Sequence, residues 1–300
     1  MRVLLAGASG LIGRALGEHL RSLGHETATL VRRPAAQPGE YSWHPTTGVV
    51  PAAALEWAEG VVSLSGAPLA RPPWTRTRRR SILMSRVRAT SAIAAALAAQ
   101  PTSRRPNVWV AGSAVGIYGD RPAEVLSEDA VPGPGFLAGV VRAWEGAAAP
   151  AAGSVRLVLA RTGMVVADGG AFAPLIVAAR RGVSVSVGRG DQWWPWVALA
   201  DEVRAIEHLL SASQLSGPVN LVGPVPATSG EIAADLAHRF RRRISLRLPP
   251  SPMRWVLGDA ARDLLLASQL AIPARLNADR FEFRAPTVGE ALGFALGQVR

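Results

Sequence analysis

Residues 2–24, RVLLAGASGLIGRALGEHLRSLG, decide the fold. The first five are a short apolar run that stops at a glycine, the pattern of a strand buried on both faces. Leu11, Ile12, Ala15, Leu16, His19, Leu20 and Leu23 then recur at helical spacing, with Gly24 placed to cap the helix. Between the two periodicities stand Gly7, Gly10 and Gly13, a G-x-x-G-x-x-G turn in the strand–turn–helix setting of a dinucleotide site. Gly7 permits the tight turn, Gly10 lets the backbone approach a pyrophosphate, and Gly13 lets helix and strand pack closely. The helix start, Leu11 and Ile12 included, would offer unpaired N–H groups and a partial positive charge to the phosphates. Ser9 adds a hydroxyl donor.

The second strand, in ETATLVRRP, ends at Arg32 and Arg33, 25 and 26 residues beyond Gly7. An acid there would bind a ribose 2′-hydroxyl. Two guanidiniums suit a 2′-phosphate instead, so NADP(H) is favoured over NAD(H). The alternative is a pair of solvated loop arginines.

Further along, strands are expected in 60–68, 107–119, 155–166 and 217–224, with helices in 85–101 and 136–149. Alternating strands and helices indicate an α/β fold, a doubly wound parallel sheet covered on both faces. After residue 166 the alternation loosens, and helical patterns with Pro-rich joints predominate from Thr228. The expected division is a Rossmann domain over 1–166, with 190–224 returning to it. Residues 167–189 and 225–300 would form a small substrate-side domain.

The 300 residues are 49% hydrophobic and 18% charged, as in a soluble globular chain. No run of 18 apolar residues suggests a membrane span, and the N-terminus lacks a signal-peptide pattern, so a cytoplasmic location is expected. There is no cysteine, which excludes disulfides, zinc–thiolate sites and cysteine nucleophiles. All 33 basic residues are arginine. Without lysine there is no Schiff-base chemistry, and no lysine to lower a tyrosine's pKa. The arginines cluster at 76–80, Arg104–Arg105, Arg180–Arg181 and 239–243, as an anion-binding surface or as solvated helix faces. No nucleic-acid module accompanies them. The five histidines have no acids at ligand spacing, so no metal is expected. A homodimer through helices flanking the sheet is compatible with the sequence, which carries no distinct interface signature.

Longer stretches narrow this further: GASGLIGRAL (7–16), VVSLSGAPLA (61–70), WTRTRRRSILMSRVRAT (74–90), GSAVGIYGD (112–120), GFLAGVVRAWE (135–145), VRLVLARTGMVV (155–166), GRGDQWWPWV (188–197), GPVNLVGP (217–224) and FEFRAPTVGEAL (281–292). With these the chain resembles the extended and atypical short-chain dehydrogenase/reductases, within them the SulA-type, sugar-nucleotide-epimerase-like proteins. The resemblance implies an NADP(H)-type Rossmann domain with a small C-terminal domain over the nicotinamide end. It places Ser65, Gly66 and Ala67 beside the cofactor's adenine-side ribose and pyrophosphate, and Thr162, Gly163 and Met164 beside the nicotinamide. Ser113 falls where these enzymes keep the serine that bonds the reacting oxygen, with one extra residue before the Tyr118–Gly119 pair. Ser85–Arg86 matches a pair expected to point into the same cleft.

Two departures matter. The helix in 136–149 occupies the place of a Tyr-x-x-x-Lys helix but carries neither residue, as is general in this subgroup. Where relatives tend to read W-I-H-I-D-D, this chain reads WVALAD (196–201), with Ala198 for the histidine and Ala200 for an acid. Ser113, Tyr118 and Asp120 are therefore the candidate catalytic groups, although an untuned tyrosine, with a pKa of about 10, is a slow base. Arg86, Gln192, Trp193 and Trp194 are candidate substrate contacts, with Trp196 as further flat surface or as packing. The expected function is an NADP(H)-dependent oxidoreductase or epimerase-like enzyme acting on a small or medium organic carbonyl or alcohol. The alternative is a catalytically silent NADP(H)-binding sensor or assembly protein.

Overall fold

The computed structural model describes residues 1–69, 73–241, 244–249 and 262–298. Seven parallel strands form the main sheet: β1 (Arg2–Ala6), β2 (Glu26–Val31), β3 (Glu40–Ser42), β4 (Gly60–Ser63), β5 (Val108–Ala114), β7 (Arg156–Thr162) and β12 (Gly217–Leu221). β6 (Arg121–Leu126), β8 (Met164–Val166), β9 (Val183–Val187), β10 (Trp193–Trp194), β11 (Trp196–Ala198) and β13 (Ala227–Thr228) lie outside that sheet. The order is β3-β2-β1-β4-β5-β7-β12, every neighbouring pair parallel. The chain steps outward from β1 to β3, returns to β4 and runs to the other edge. That reversal opens a crevice at the carboxyl ends of β1 and β4, where α/β sheets bind ligands.

Alternate residues of the sheet feed two cores. Leu4, Ala6, Val61, Trp109 and Ala111 pack under α2 (Ala52–Trp57) and α3 (Arg76–Ala99). Val3, Leu5, Val62, Val110 and Val158 pack under α1 (Leu11–Ser22) and α6 (Leu199–Ser211). Such two-sided burial explains why these strands read as continuous apolar runs. Each fully buried Leu, Ile or Val contributes about 1.5–3 kcal/mol. Among the described residues α3 is long and apolar enough to cross a membrane by length and composition; here Ile82, Ala89, Ile93 and Leu97 are buried inside the protein.

A third core lies beyond the sheet: Phe172 and Ile176 of α5 (Ala173–Arg180) and its entry, Ile232 and Leu236 of α7 (Ser229–Arg239), and Ala291 and Leu292 of α9 (Val288–Ala295). Thr228 with Glu231, and Thr287 with Glu290, form capping boxes that start α7 and α9. β9 (Val183–Val187) pairs with β14 (Ile244–Leu248) beside them. Trp194, Trp196 and Ala198 belong to this third core, so part of the expected 190–224 return serves the smaller unit. Leu276 of α8 (Ala274–Ala278) travels the other way, into the sheet core.

Several element boundaries differ from expectation: β4 ends at Ser63 and β5 at Ala114, short of 68 and 119, and two further differences have a clear cause. α3 begins at Arg76, not 85, because Thr75 caps it by accepting from the Arg78 N–H at 3.2 Å; the arginine run conceals the apolar face. The 155–166 stretch is two strands: β7 ends at Thr162, and β8 (Met164–Val166) pairs instead with β11 (Trp196–Ala198). Ala70, Arg242, Arg243 and the 250–261 part of the C-terminal helical reading lie outside the described residues.

Candidate functional site

The β1–α1 turn is packed too closely for side chains. A Cβ on Gly7, whose φ is +93°, would lie 2.8 Å from the Leu64 carbonyl carbon. On Gly13 it would lie 2.3 Å from the Gly7 carbonyl oxygen. The turn thus sits hard against the loop after β4, with α1 drawn down onto it. Gly10 caps α1 without any side-chain hydrogen bond, so the helix starts with free N–H groups and its positive dipole end exposed. Ser9 is exposed beside it. Leu11 and Ile12 lean on the cluster of Val165, Ala167 and Val197, joining the turn to the far wall of the crevice.

The two arginines after β2 are not equivalent. Arg33 is committed to Glu40, with Nη1 at 2.8 Å from Oε2 and Nη2 at 2.5 Å from Oε1, and this pairing holds the Glu40 carboxyl at about 2. Arg33 thus braces the loop, and of the two arginines Arg32 is the one left exposed without a side-chain partner among the described residues.

Ser65, Gly66 and Ala67 line the end of β4, where the Ser85 hydroxyl accepts from the Ala67 N–H at 2.9 Å. Arg86 donates to the Ala67 and Ile82 carbonyls at 3.2 and 3.0 Å, and lies 5.2 Å over the Trp144 ring. Across the crevice, a Cβ on Gly163 would stand 2.3 Å from the Pro195 carbonyl oxygen. That contact diverts the chain between β7 and β8. Thr162 donates to Glu202 at 2.7 Å, and the Met164 N–H donates to Pro195 at 2.6 Å. Glu202 is wholly buried with one oxygen unpartnered, and burial pushes its carboxyl up to about 8, against the opposing Thr162 bond.

Tyr118 corrects the catalytic expectation. It lies in the turn Val115–Tyr118 after β5 and is fully buried. Its hydroxyl donates to Asn220 Oδ1 at 2.7 Å and accepts from Arg161 at 3.0 Å. Burial raises its pKa despite Arg161, the reverse of what a proton donor needs. Ser113 is also nearly buried and donates to Glu145 of α4 (Phe136–Ala148) at 2.5 Å. Arg161 holds that carboxylate with two bonds, at 2.9 and 3.0 Å. A continuous chain, Ser113–Glu145–Arg161–Tyr118–Asn220, thus ties β5, α4, β7 and β12 together. Glu145, Arg161 and Asn220 were not anticipated. The available signal was a lone arginine inside the apolar strand LVLART and a lone asparagine inside PVNLV.

Beside this network, where α4 begins, lies a cleft of about 230 Å³. Gly116, Leu137, Ala138, Asp120, Asp263 and Gln269 are among its walls. Asp120 lines it but accepts from the Ser268 N–H at 2.9 Å, and is not brought beside Ser113 by any bond. Asp263 accepts from the Leu137 N–H at 3.1 Å, capping α4 from the smaller unit. Leu137, Val140 and Val141, in the helix that stands in place of a Tyr-x-x-x-Lys helix, are buried packing residues.

The tryptophan segment is also corrected. Gln192 is buried and donates to the Val187 and Leu265 carbonyls. Trp194 is buried and donates to Leu265 at 3.2 Å, and Trp196 is buried and donates to Val225 at 3.1 Å. Satisfied indole N–H groups within a core are packing, not a stacking platform. Trp193 alone of the three tryptophans stays partly exposed.

A glycine-turn crevice at the β1/β4 switch point, in a seven-stranded parallel sheet, defines a Rossmann-type nucleotide-binding protein of short-chain reductase architecture. The profile of the NAD dependent epimerase/dehydratase family matches residues 3–223, and a domain of unknown function (DUF1731) matches residues 248–295. The chain belongs to the NAD dependent epimerase/dehydratase family. It is 37% identical over 295 residues to epimerase family protein ML0860 of Mycobacterium leprae, covering 98% of this chain and 95% of that one. It is 31% identical to human epimerase family protein SDR39U1, covering 97% and 98%. A crystal structure of human SDR39U1 (isoform 2) with NADPH superposes with a TM-score of 0.90 at 30% identity, over the whole of both chains.

Proposed function

We propose that this chain binds NADP(H) in the β1/β4 crevice and acts as an oxidoreductase or epimerase-like enzyme on a small or medium organic carbonyl or alcohol. One observation carries it: a turn with no room for a Cβ at Gly7 or Gly13, facing a helix start without a side-chain cap. Such a surface is shaped for a pyrophosphate. The SDR39U1 structure with NADPH supports the choice of cofactor.

The backbone from Gly10 to Gly13 would hold the pyrophosphate, and Arg32 the 2′-phosphate. Ser65, Gly66 and Ala67 would form one wall, and Thr162, Gly163 and Met164 the other. When bound, the nicotinamide supplies or accepts the hydride. Ser113 is oriented by Glu145 toward the α4 side of β5, with Glu145 fixed by Arg161. Asp120, one of the two carboxylates lining the neighbouring cleft, takes the role of proton carrier that Tyr118, sealed between Asn220 and Arg161, does not fill. That sealed tyrosine also favours a second reading, a catalytically silent NADP(H)-binding sensor.

Calorimetric titration with NADPH and NADH tests the cofactor assignment. NADPH is expected to bind the more tightly, and Arg32→Ala to remove about tenfold of that affinity while leaving NADH unaffected. Arg33→Ala should change it less. Consumption of NADPH with a panel of carbonyl compounds then separates the two readings: no turnover with any of them favours the sensor.

A further inference from the structure

Two arginines on α3 face the loop after β4 with no carboxylate among the described residues to meet them. Arg78 donates through Nη2 to the Pro68 carbonyl, and its Nε is buried without a hydrogen-bond partner. Arg86, two turns on, is held by the Ala67 and Ile82 carbonyls and by the Trp144 ring. Its guanidinium presses against Gly66, where a Cβ would lie 3.1 Å from Cζ. Arg161, also buried, has Glu145 as counter-ion. Neither Arg78 nor Arg86 makes an ion pair among the described residues. Shielding a cation from water without a counter-charge is costly. Burial, with the charge of Arg78 adding to it, brings the Arg86 guanidinium down to about 10.

We propose that Arg78 and Arg86 form a binding site for an oxyanion, a carboxylate or phosphate group carried by the substrate. The guanidinium is planar and fixed by Trp144, so two N–H groups can meet two oxygens without first being ordered. The site adjoins the Ser65–Ala67 wall of the crevice, and its assignment to substrate rests on the functional reading above. It narrows that reading to anionic carbonyl or alcohol compounds. It also gives one part of the 76–80 arginine run a role other than a solvated helix face.

The test is titration of the NADPH-loaded full chain with inorganic pyrophosphate, so that the α1 start is already covered. Saturable binding is expected, weakened about tenfold or more by Arg86→Met and several-fold by Arg78→Met. NADPH affinity should fall less than pyrophosphate affinity in both, since Arg86 also holds the Ala67 carbonyl of the cofactor wall. Arg86→Lys, which keeps the charge, should recover part of the binding, a rescue that a purely packing role would not give. Melting curves of each variant establish that it is folded. The proposal is overturned if pyrophosphate does not bind, if both methionine variants bind it as the wild type does, or if Arg86→Met weakens NADPH and pyrophosphate equally. That last result would assign the arginines to the cofactor's own phosphates. If NADPH itself fails to bind, the functional reading falls. The titration is then repeated on the free chain, where insensitivity to both substitutions overturns the anion site separately.

Discussion

At the scale of single residues, burial decides which polar groups do chemistry and which hold the protein together. Tyr118 and Ser113 have the right identities for substrate contact, but each spends its hydroxyl on an internal partner, Asn220 and Glu145 respectively. Glu202 shows how far burial moves a titration. Its carboxyl, ordinarily near 4.5, is raised to about 8. Below pH 4.5 it is protonated whether the chain is folded or not, and its stabilising contribution is fully present. Between 4.5 and 8 the unfolded chain releases the proton while the folded one keeps it, so stability falls as pH rises, by about 5 kcal/mol in all. Above 8 the effect is level. Glu202→Gln should remove this slope: urea midpoints measured from pH 5 to 9 should show the variant gaining on the wild type up to pH 8. A difference independent of pH would refute the assignment. A sequence can offer Glu202 only as one more helix acid, because its depth is a property of the packing around α6.

At the scale of elements, the strand–turn–helix of residues 2–22 was fully legible, because a two-sided buried strand, three glycines and a helical stripe are all local patterns. The reason each glycine is needed is tertiary and differs by position. Gly13→Ala would drive a methyl into the Gly7 carbonyl, pushing α1 off the turn. It should cost about 1–3 kcal/mol and weaken NADPH binding. Gly146, within α4, has nothing within 4 Å of an added Cβ. There Gly146→Ala should stabilise by about 0.5–1 kcal/mol and leave NADPH binding alone. Thermal unfolding and calorimetry on the two variants check both halves; equal effects would mean that the turn is not a close-packed cradle. Less legible was α3, whose start is masked by arginines that turn inward only because the β4 loop lies beneath them. Likewise the split between β7 and β8 required knowledge that Pro195 passes over Gly163.

At the scale of the whole molecule, a few polar contacts join the sheet to the smaller unit. Asp263 caps α4, Asp120 receives the Ser268 N–H, and Gln269 donates to the Gly119 carbonyl at 2.8 Å. The strongest tie is Asp201. Nearly inaccessible, it accepts from the Arg284 and Ala285 N–H groups at 2.8 and 2.9 Å and from Arg204 at 3.2 Å. Asp201→Asn would place an amide donor against backbone donors. It should cost about 2–3 kcal/mol and speed amide exchange at 284 and 285 ahead of the sheet. Uniform acceleration across the chain would show that these segments do not open separately. Sequence alone determined the α/β class, the glycine turn and the absence of a Tyr–Lys pair, since each depends on residues close together in the chain. Only the tertiary structure decided that Arg33 belongs to Glu40, that Tyr118 is sealed and that Trp194 and Trp196 are core. It alone left Arg78 and Arg86 beside the β4 loop without an ion pair among the described residues. Those outcomes depend on which side chains, far apart in sequence, compete for the same partner and how much water remains around them.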